Sequence, residues 1–139
     1  MPTKPPHISK AEYETLAALR YALRQFLHFS EAAAGDAGLT PQQHQALLAI
    51  KGFPGRDRVT ISEFAERLQL RHHSAVGLAN RLVSARLARR EPDTQDRRRV
   101  YLALSARGEA LLEQLSAAHR EQLRRVGTQL ADLLARLRG

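Results

Sequence analysis

The chain has 139 residues, 43% of them hydrophobic and 26% charged, which is enough for one buried core and too short for two independent ones. Its net charge of +8 points to a polyanionic partner, and the absence of cysteine removes disulfides, thiolate metal sites and cysteine redox sensing. No run of about 18 apolar residues occurs and the opening MPTKPPHISK lacks an apolar signal core, so neither membrane insertion nor secretion is indicated and a cytoplasmic location is expected.

Three helix starts use one device, a Ser or Thr whose side chain accepts from the third helical N–H while a Glu or Gln at that position reaches back: SKAE at Ser9, TPQQ at Thr40 and TISE at Thr60. After Ser9, Tyr13, Leu16, Leu19, Leu23, Phe26 and Leu27 recur at three- and four-residue steps, which predicts one apolar stripe to about Ala34. Thr40 and Pro41 open a short helix carrying His44, Leu47, Leu48 and Ile50, stopped by KGFPG. Thr60 opens about two turns with Phe64, Ala65 and Leu68. A break near Leu70 to His72 precedes HHSAVGLANRLVSARL, where Val76, Ala79, Leu82, Val83 and Leu87 are expected to face inward. Two short helices across a brief break make a helix-turn-helix candidate.

ARRE and RVYLAL flank PDTQDRR, with Val100, Leu102 and Leu104 alternating against Tyr101 and Ala103, which reads as a β-hairpin. From Ser105 onward, Leu112, Leu115, His119, Leu123, Val126, Leu130, Leu133 and Leu137 keep a spacing of about 3.5, a seam that calls for a partner helix. The charge is concentrated between Arg71 and Arg99, where eight arginines face Glu91, Asp93 and Asp96, so this segment alone carries +5.

Helix, turn, helix and a two-stranded wing is the order of a winged helix-turn-helix. DRRRVYLALSARG resembles the wing signature of the multiple antibiotic resistance regulator (MarR) family, with Asp96, Arg98, Leu104, Ser105 and Gly108 in its places. TISEFAERLQLRHHSAVGLANRLVSARL is similar to the family's helix-turn-helix, with a recognition helix from about His72 to Ala85. Two positions depart from the pattern: Asn80 stands where many members carry an acidic residue, and Arg86 where many carry a helix-ending Gly. The resemblance implies a mainly α fold with a small β-hairpin wing, treated as a single domain over 1–139. In it, helices at 8–35 and 106–138 dimerise and a DNA-binding lobe spans 40–105. It also implies a homodimeric regulator, most often a repressor, on a pseudo-palindromic operator in double-stranded DNA.

The residues expected at DNA are His72, His73, Ser74, Gly77, Arg81 and Ser84 on the outward face of the recognition helix, and Arg97, Arg98 and Arg99 on the wing. A merely solvated face is the competing reading. By the resemblance Arg98 enters the minor groove, while Arg97 and Arg99 meet phosphates or pair with Asp93 and Asp96. Asp96 is expected to hold Arg98 or the hairpin turn. His72 and His73 point about 100° apart on a helix and do not chelate one ion together, so no metal is expected. The resemblance also implies a small-molecule effector pocket between the dimer helices and the DNA lobe. Tyr21, His28 and His44 are its candidate lining residues, each with a plain core identity as the alternative. No cofactor is expected. With no nucleophile motif and no phosphate-cradling Gly loop, enzymatic activity is not expected either. The rival readings are a winged-helix protein-interaction module and a sequence-independent chromosome-binding protein.

Overall fold

The computed structural model describes residues 5–138. In chain order it comprises α1 (Lys10–Asp36), α2 (Pro41–Lys51), β1 (Arg58–Thr60), α3 (Ile61–Leu68), α4 (His72–Ser84), β2 (Ala88–Pro92), β3 (Val100–Leu104) and α5 (Ala106–Leu137). All three anticipated capping boxes form, at Ser9 with Glu12, Thr40 with Gln43 and Thr60 with Glu63. Each satisfies two backbone N–H groups that a helix start otherwise leaves unpaired.

The core of the central lobe is filled by Leu47 and Ile50 of α2, Val59 of β1, Phe64 of α3, Leu78 and Leu82 of α4, Leu87 and Leu102, all essentially without exposure. The interior of α4 differs in part from the predicted stripe. Ala75 and Leu78 join Ala79 and Leu82 inside, and Val76 and Val83 are half-buried on the flank.

The sheet departs further from expectation. Among the described residues three strands are present rather than two, in the order β1-β3-β2, with Val59 opposite Leu102 and Arg90 opposite Leu102 in the two antiparallel ladders. Because β3 is central and covered on both faces, Tyr101 and Ala103 are buried along with Leu102 and Leu104, and the expected alternation fails. Val100, placed inward by that alternation, is exposed.

Among the described residues two other than Gly adopt positive φ, and both end helices of the helix-turn-helix. Gln69 (φ 54) closes α3, and Arg86 (φ 62) follows α4 at the position where the family pattern favours Gly. The Leu87 N–H donates to the Leu82 carbonyl across that turn, at 2.9 Å. The left-handed conformation costs a non-Gly residue about 1 kcal/mol, so surrounding contacts hold Arg86 there.

One of those contacts comes from the start of α5. The Ser105 hydroxyl donates to the Arg86 carbonyl at 2.6 Å and accepts from the Gly108 N–H at 3.0 Å, while the Ser105 N–H donates to the Leu87 carbonyl at 3.0 Å. The end of α4, the base of the wing and the start of α5 are thereby fastened at one point. α1 packs along α5, and the predicted α1 stripe is only partly buried: Ala22, Ser30 and Ala34 are covered, whereas Tyr13 (58%), Leu16, Leu23 and Leu27 remain exposed.

Candidate nucleic-acid interface

At about 100° per residue, His73, Gly77, Asn80 and Ser84 fall within about 60° of each other on α4, opposite Leu78 and Leu82. Ser74 and Arg81 flank this strip, and His72 lies on its other side, at the first helical turn. His72, His73, Asn80, Arg81 and Ser84 are exposed, and Ser74 and Gly77 are half-covered. A Cβ added at Gly77 would meet the end of the Arg81 side chain at 3.4 Å, an ordinary contact with a flexible group. Nothing within the protein therefore requires Gly at this position. Asn80, at the middle of the strip, is absent from the residues that the sequence pattern selects. Periodicity marks a face, but gives no reason to favour an amide over its neighbours.

The wing tip is organised by two Asp side chains. The Asp96 carboxylate accepts from the Arg98 backbone N–H at 3.0 Å and from its Nε at 3.4 Å, and Asp93 accepts from the Gln95 N–H at 3.0 Å. Arg98 nonetheless keeps 93% of its side chain in solvent. The alternative pairing of Arg97 and Arg99 with Asp93 and Asp96 is not found: among the described residues neither arginine forms an ion pair, and Asp96 pairs with Arg98 alone. The wing and the start of α3 border a groove lined by Thr60, Ser62, Asp96, Arg98 and Arg99.

Other arginines are engaged within the fold. Arg56 makes a two-pronged contact to Glu63 and stacks 4.5 Å from the Phe53 ring centre. The Arg56 guanidinium holds the Glu63 carboxyl down at about 2, assisted by the Thr60 N–H and hydroxyl. Arg58 lies 4.2 Å over the Tyr101 ring and shares Glu91 with Arg89, each at 3.0 Å. Arg71, Arg81, Arg86, Arg97 and Arg99 have no ion-pair partner among the described residues, and all five are exposed. The geometry thus offers a helix face of hydrogen-bonding side chains bordered by exposed arginines outside any ion pair, which suits a polyanion with groove-exposed base edges.

A second feature lies where α1, α2 and α5 meet. A cavity of about 530 Å³ is lined by Phe26 and Ser30 of α1, His44, Gln45 and Leu48 of α2, and Ser116, His119, Arg120, Leu123 and Arg124 of α5. Of the three expected pocket residues only His44 lines it. Tyr21 and His28 are exposed elsewhere on α1, because their helical face points away from α5. His119, hidden in the sequence among seam leucines, is the residue that spacing alone did not reveal.

His119 Nδ1 sits 2.6 Å from the Leu115 carbonyl, which only accepts, so this nitrogen carries the proton. In the neutral ring Nε2 then accepts from the Ser30 hydroxyl at 2.9 Å. The His44 ring is 4.8 Å from that of His119, and its Nδ1 is enclosed without a hydrogen-bond partner. Burial, and secondarily the neighbouring His119, push the His44 pKa below its ordinary value. A His whose folded pKa is lowered binds more protons when unfolded, so stability falls as pH drops below about 6.5 and is recovered above it. Replacing His44 with Leu is expected to flatten this part of the stability profile in urea titrations between about pH 7 and pH 5. A slope unchanged in the variant would assign the effect to another group.

Among the described residues no cluster of three metal-ligating side chains occurs, and no helix is long and apolar enough to cross a membrane. The MarR family model matches residues 37–99, which run from just after α1 through β2 and the wing tip, stopping short of β3. No curated protein is similar enough in sequence to match the chain. Among solved structures, AbsC, a MarR family transcriptional regulator from Streptomyces coelicolor, superposes with a TM-score of 0.71 at 22% identity, over 91% of this chain and 84% of AbsC. A mutant MarR from E. coli, complexed with operator DNA, gives 0.68 at 22% identity, over 86% of this chain and 84% of that one. NadR in complex with 4-hydroxyphenylacetate gives 0.63 at 27% identity, over 99% of this chain and 97% of NadR. Over residues 37–99 the chain is similar to the MarR family, and as a whole it shares the winged-helix fold of the solved MarR regulators.

Proposed function

We propose that this protein is a sequence-specific DNA-binding transcription regulator, a homodimer that represses from a pseudo-palindromic operator and is released by a small-molecule effector. The observation that carries this reading is the exposed strip of α4 beside the wing, bordered by Arg71, Arg81, Arg97 and Arg99, which have no ion-pair partner among the described residues. In this reading His73, Ser74 and Gly77 approach base edges, with His72, Arg81 and Ser84 beside them. Arg98 enters the minor groove, and Arg97 and Arg99 meet phosphates. The operator complex of the E. coli MarR mutant supports the DNA partner by similarity of fold. The cavity between α1, α2 and α5 fits the effector: apolar walls of Phe26, Leu48 and Leu123 meet Arg120 and Arg124, a combination suited to a small organic anion. The ligand-bound NadR structure supports such a site.

The test is binding to the chain's own upstream DNA against random duplex at fixed salt, where a preference of about a thousandfold or more is expected. Equal affinity for both would instead favour a sequence-independent chromosome protein. Within the specific complex, Arg98→Ala is expected to weaken binding at every operator variant and to lower the log–log salt slope by about one unit. Normal affinity with an unchanged slope would take the wing out of the interface.

A further inference from the structure

Arg90 is the remaining arginine of the basic segment, and its environment differs from that of every neighbour. It lies on β2 opposite Leu102, so its side chain leaves the sheet on the side that packs against α4. Arg89 and Glu91, one residue to either side, leave by the other face, where Glu91 is held by Arg58 and Arg89. The pleat therefore denies Arg90 the one carboxylate on its strand. Its guanidinium instead donates to the Oδ1 of Asn80, at the middle of the outward strip of α4. Both residues are exposed.

We propose that Asn80 and Arg90 form a charge-preserving clamp that presents Arg90 as a further cation for the DNA backbone, beside the recognition helix. This role for the pair rests on the DNA-binding reading above. An amide fixes a guanidinium by the same oxygen that a carboxylate would use, and Asp has nearly the shape of Asn. A carboxylate at this position would, however, cancel the arginine's charge and place a negative group toward the phosphates. The amide orients Arg90 without neutralising it, and the bonded guanidinium still has donors left for a phosphate oxygen. Asn80 is thus a positioning residue and Arg90 the contacting one.

Asn80→Asp tests this with opposite signs on two readouts. The variant gains an ion pair, so its melting temperature should stay level or rise, while affinity for the operator falls roughly tenfold and the salt slope drops by about one unit. Arg90→Gln should reproduce the loss of affinity and slope without a carboxylate facing the DNA, and Arg90→Lys should restore the slope. A purely structural pair would leave the slope of all three at the parent's value, and that result overturns the proposal. So does loss of binding in Asn80→Asp with full binding in Arg90→Gln, which would mean that the new carboxylate repels DNA by itself. A parent protein with no affinity for DNA would instead reject the functional reading on which the clamp depends.

Discussion

Removing the chain after Ala118 is expected to abolish dimerisation and operator binding together. The isolated protomer leaves Tyr13, Leu16, Leu23 and Leu27 exposed on α1, and Leu123 (47%), Leu134 (46%) and Leu137 on α5. In the proposed homodimer these apolar side chains would be covered by the second copy, and each Leu so buried would contribute about 1.5–3 kcal/mol. A dimer presents two recognition helices to half-sites about one helical turn apart, and the second half-site then binds at an effective concentration of about millimolar. Losing that linkage should weaken operator binding by roughly a hundredfold or more. The truncation also strips α1 of its cover, so Leu134→Glu is the cleaner companion: Leu134 is half-exposed in the protomer, and the change should split the dimer while leaving circular dichroism unaltered. Sedimentation showing a full-length monomer that still binds the operator tightly would defeat the idea.

What the sequence disclosed follows the range of the interactions involved. The capping boxes at Ser9, Thr40 and Thr60 are local side-chain-to-backbone exchanges, complete within four residues, and were legible as they stand. β1 was not legible. Arg58–Thr60 is three residues long and is defined only by its pairing with Tyr101 to Ala103, distant in sequence. The reading of β3 failed for a related reason: alternation signals a strand with one wet face, and here the Arg58 and Arg56 side chains lie over Tyr101 on that face.

The cavity illustrates a different limit. Apolar spacing on α1 shows that a face exists but not which of α2, α5 or a second protomer will cover it, and so Tyr21 and His28 were drawn in while Ser30 and Phe26 were passed over. His119 occupied a seam position and looked like packing, until α2 brought His44 against it. The Asn80–Arg90 contact was closed to sequence reasoning for the same reason, because the pleat that separates Arg90 from Glu91 is visible only once the register of β2 on β3 is known.

Gly108→Ala should be among the most damaging single substitutions in the chain. Gly108 is the third residue of α5 and has ordinary helical backbone, so conformational freedom is not what the position needs. It needs space: an added Cβ would stand 2.0 Å from the Leu87 carbonyl oxygen and 3.0 Å from its carbon. Both are backbone atoms, and the same oxygen is already fixed by the Ser105 N–H. Relief requires moving α5 away from the end of α4, which breaks the Ser105 contacts to Arg86 and Gly108 and unseats Arg86 from its left-handed turn. Overpacking of this kind against a pinned backbone costs about 3 kcal/mol, which for a chain of this size lowers the melting temperature by roughly 10 °C. Gly35→Ala is the matched control, because nothing lies within 4 Å of a Cβ there and removing Gly from a helix stabilises by roughly 0.5–1 kcal/mol. Ser105→Ala should fall between the two, near 1 kcal/mol destabilising, since it removes a cap but leaves the close approach intact. Operator binding by Gly108→Ala at low temperature, where the protein remains folded, should also weaken, because the wing root and the end of the recognition helix share this fastening point. Equal melting temperatures for Gly108→Ala and Gly35→Ala would show that α5 yields freely at its start and that the fastening at Leu87 does not hold the lobe to the helix.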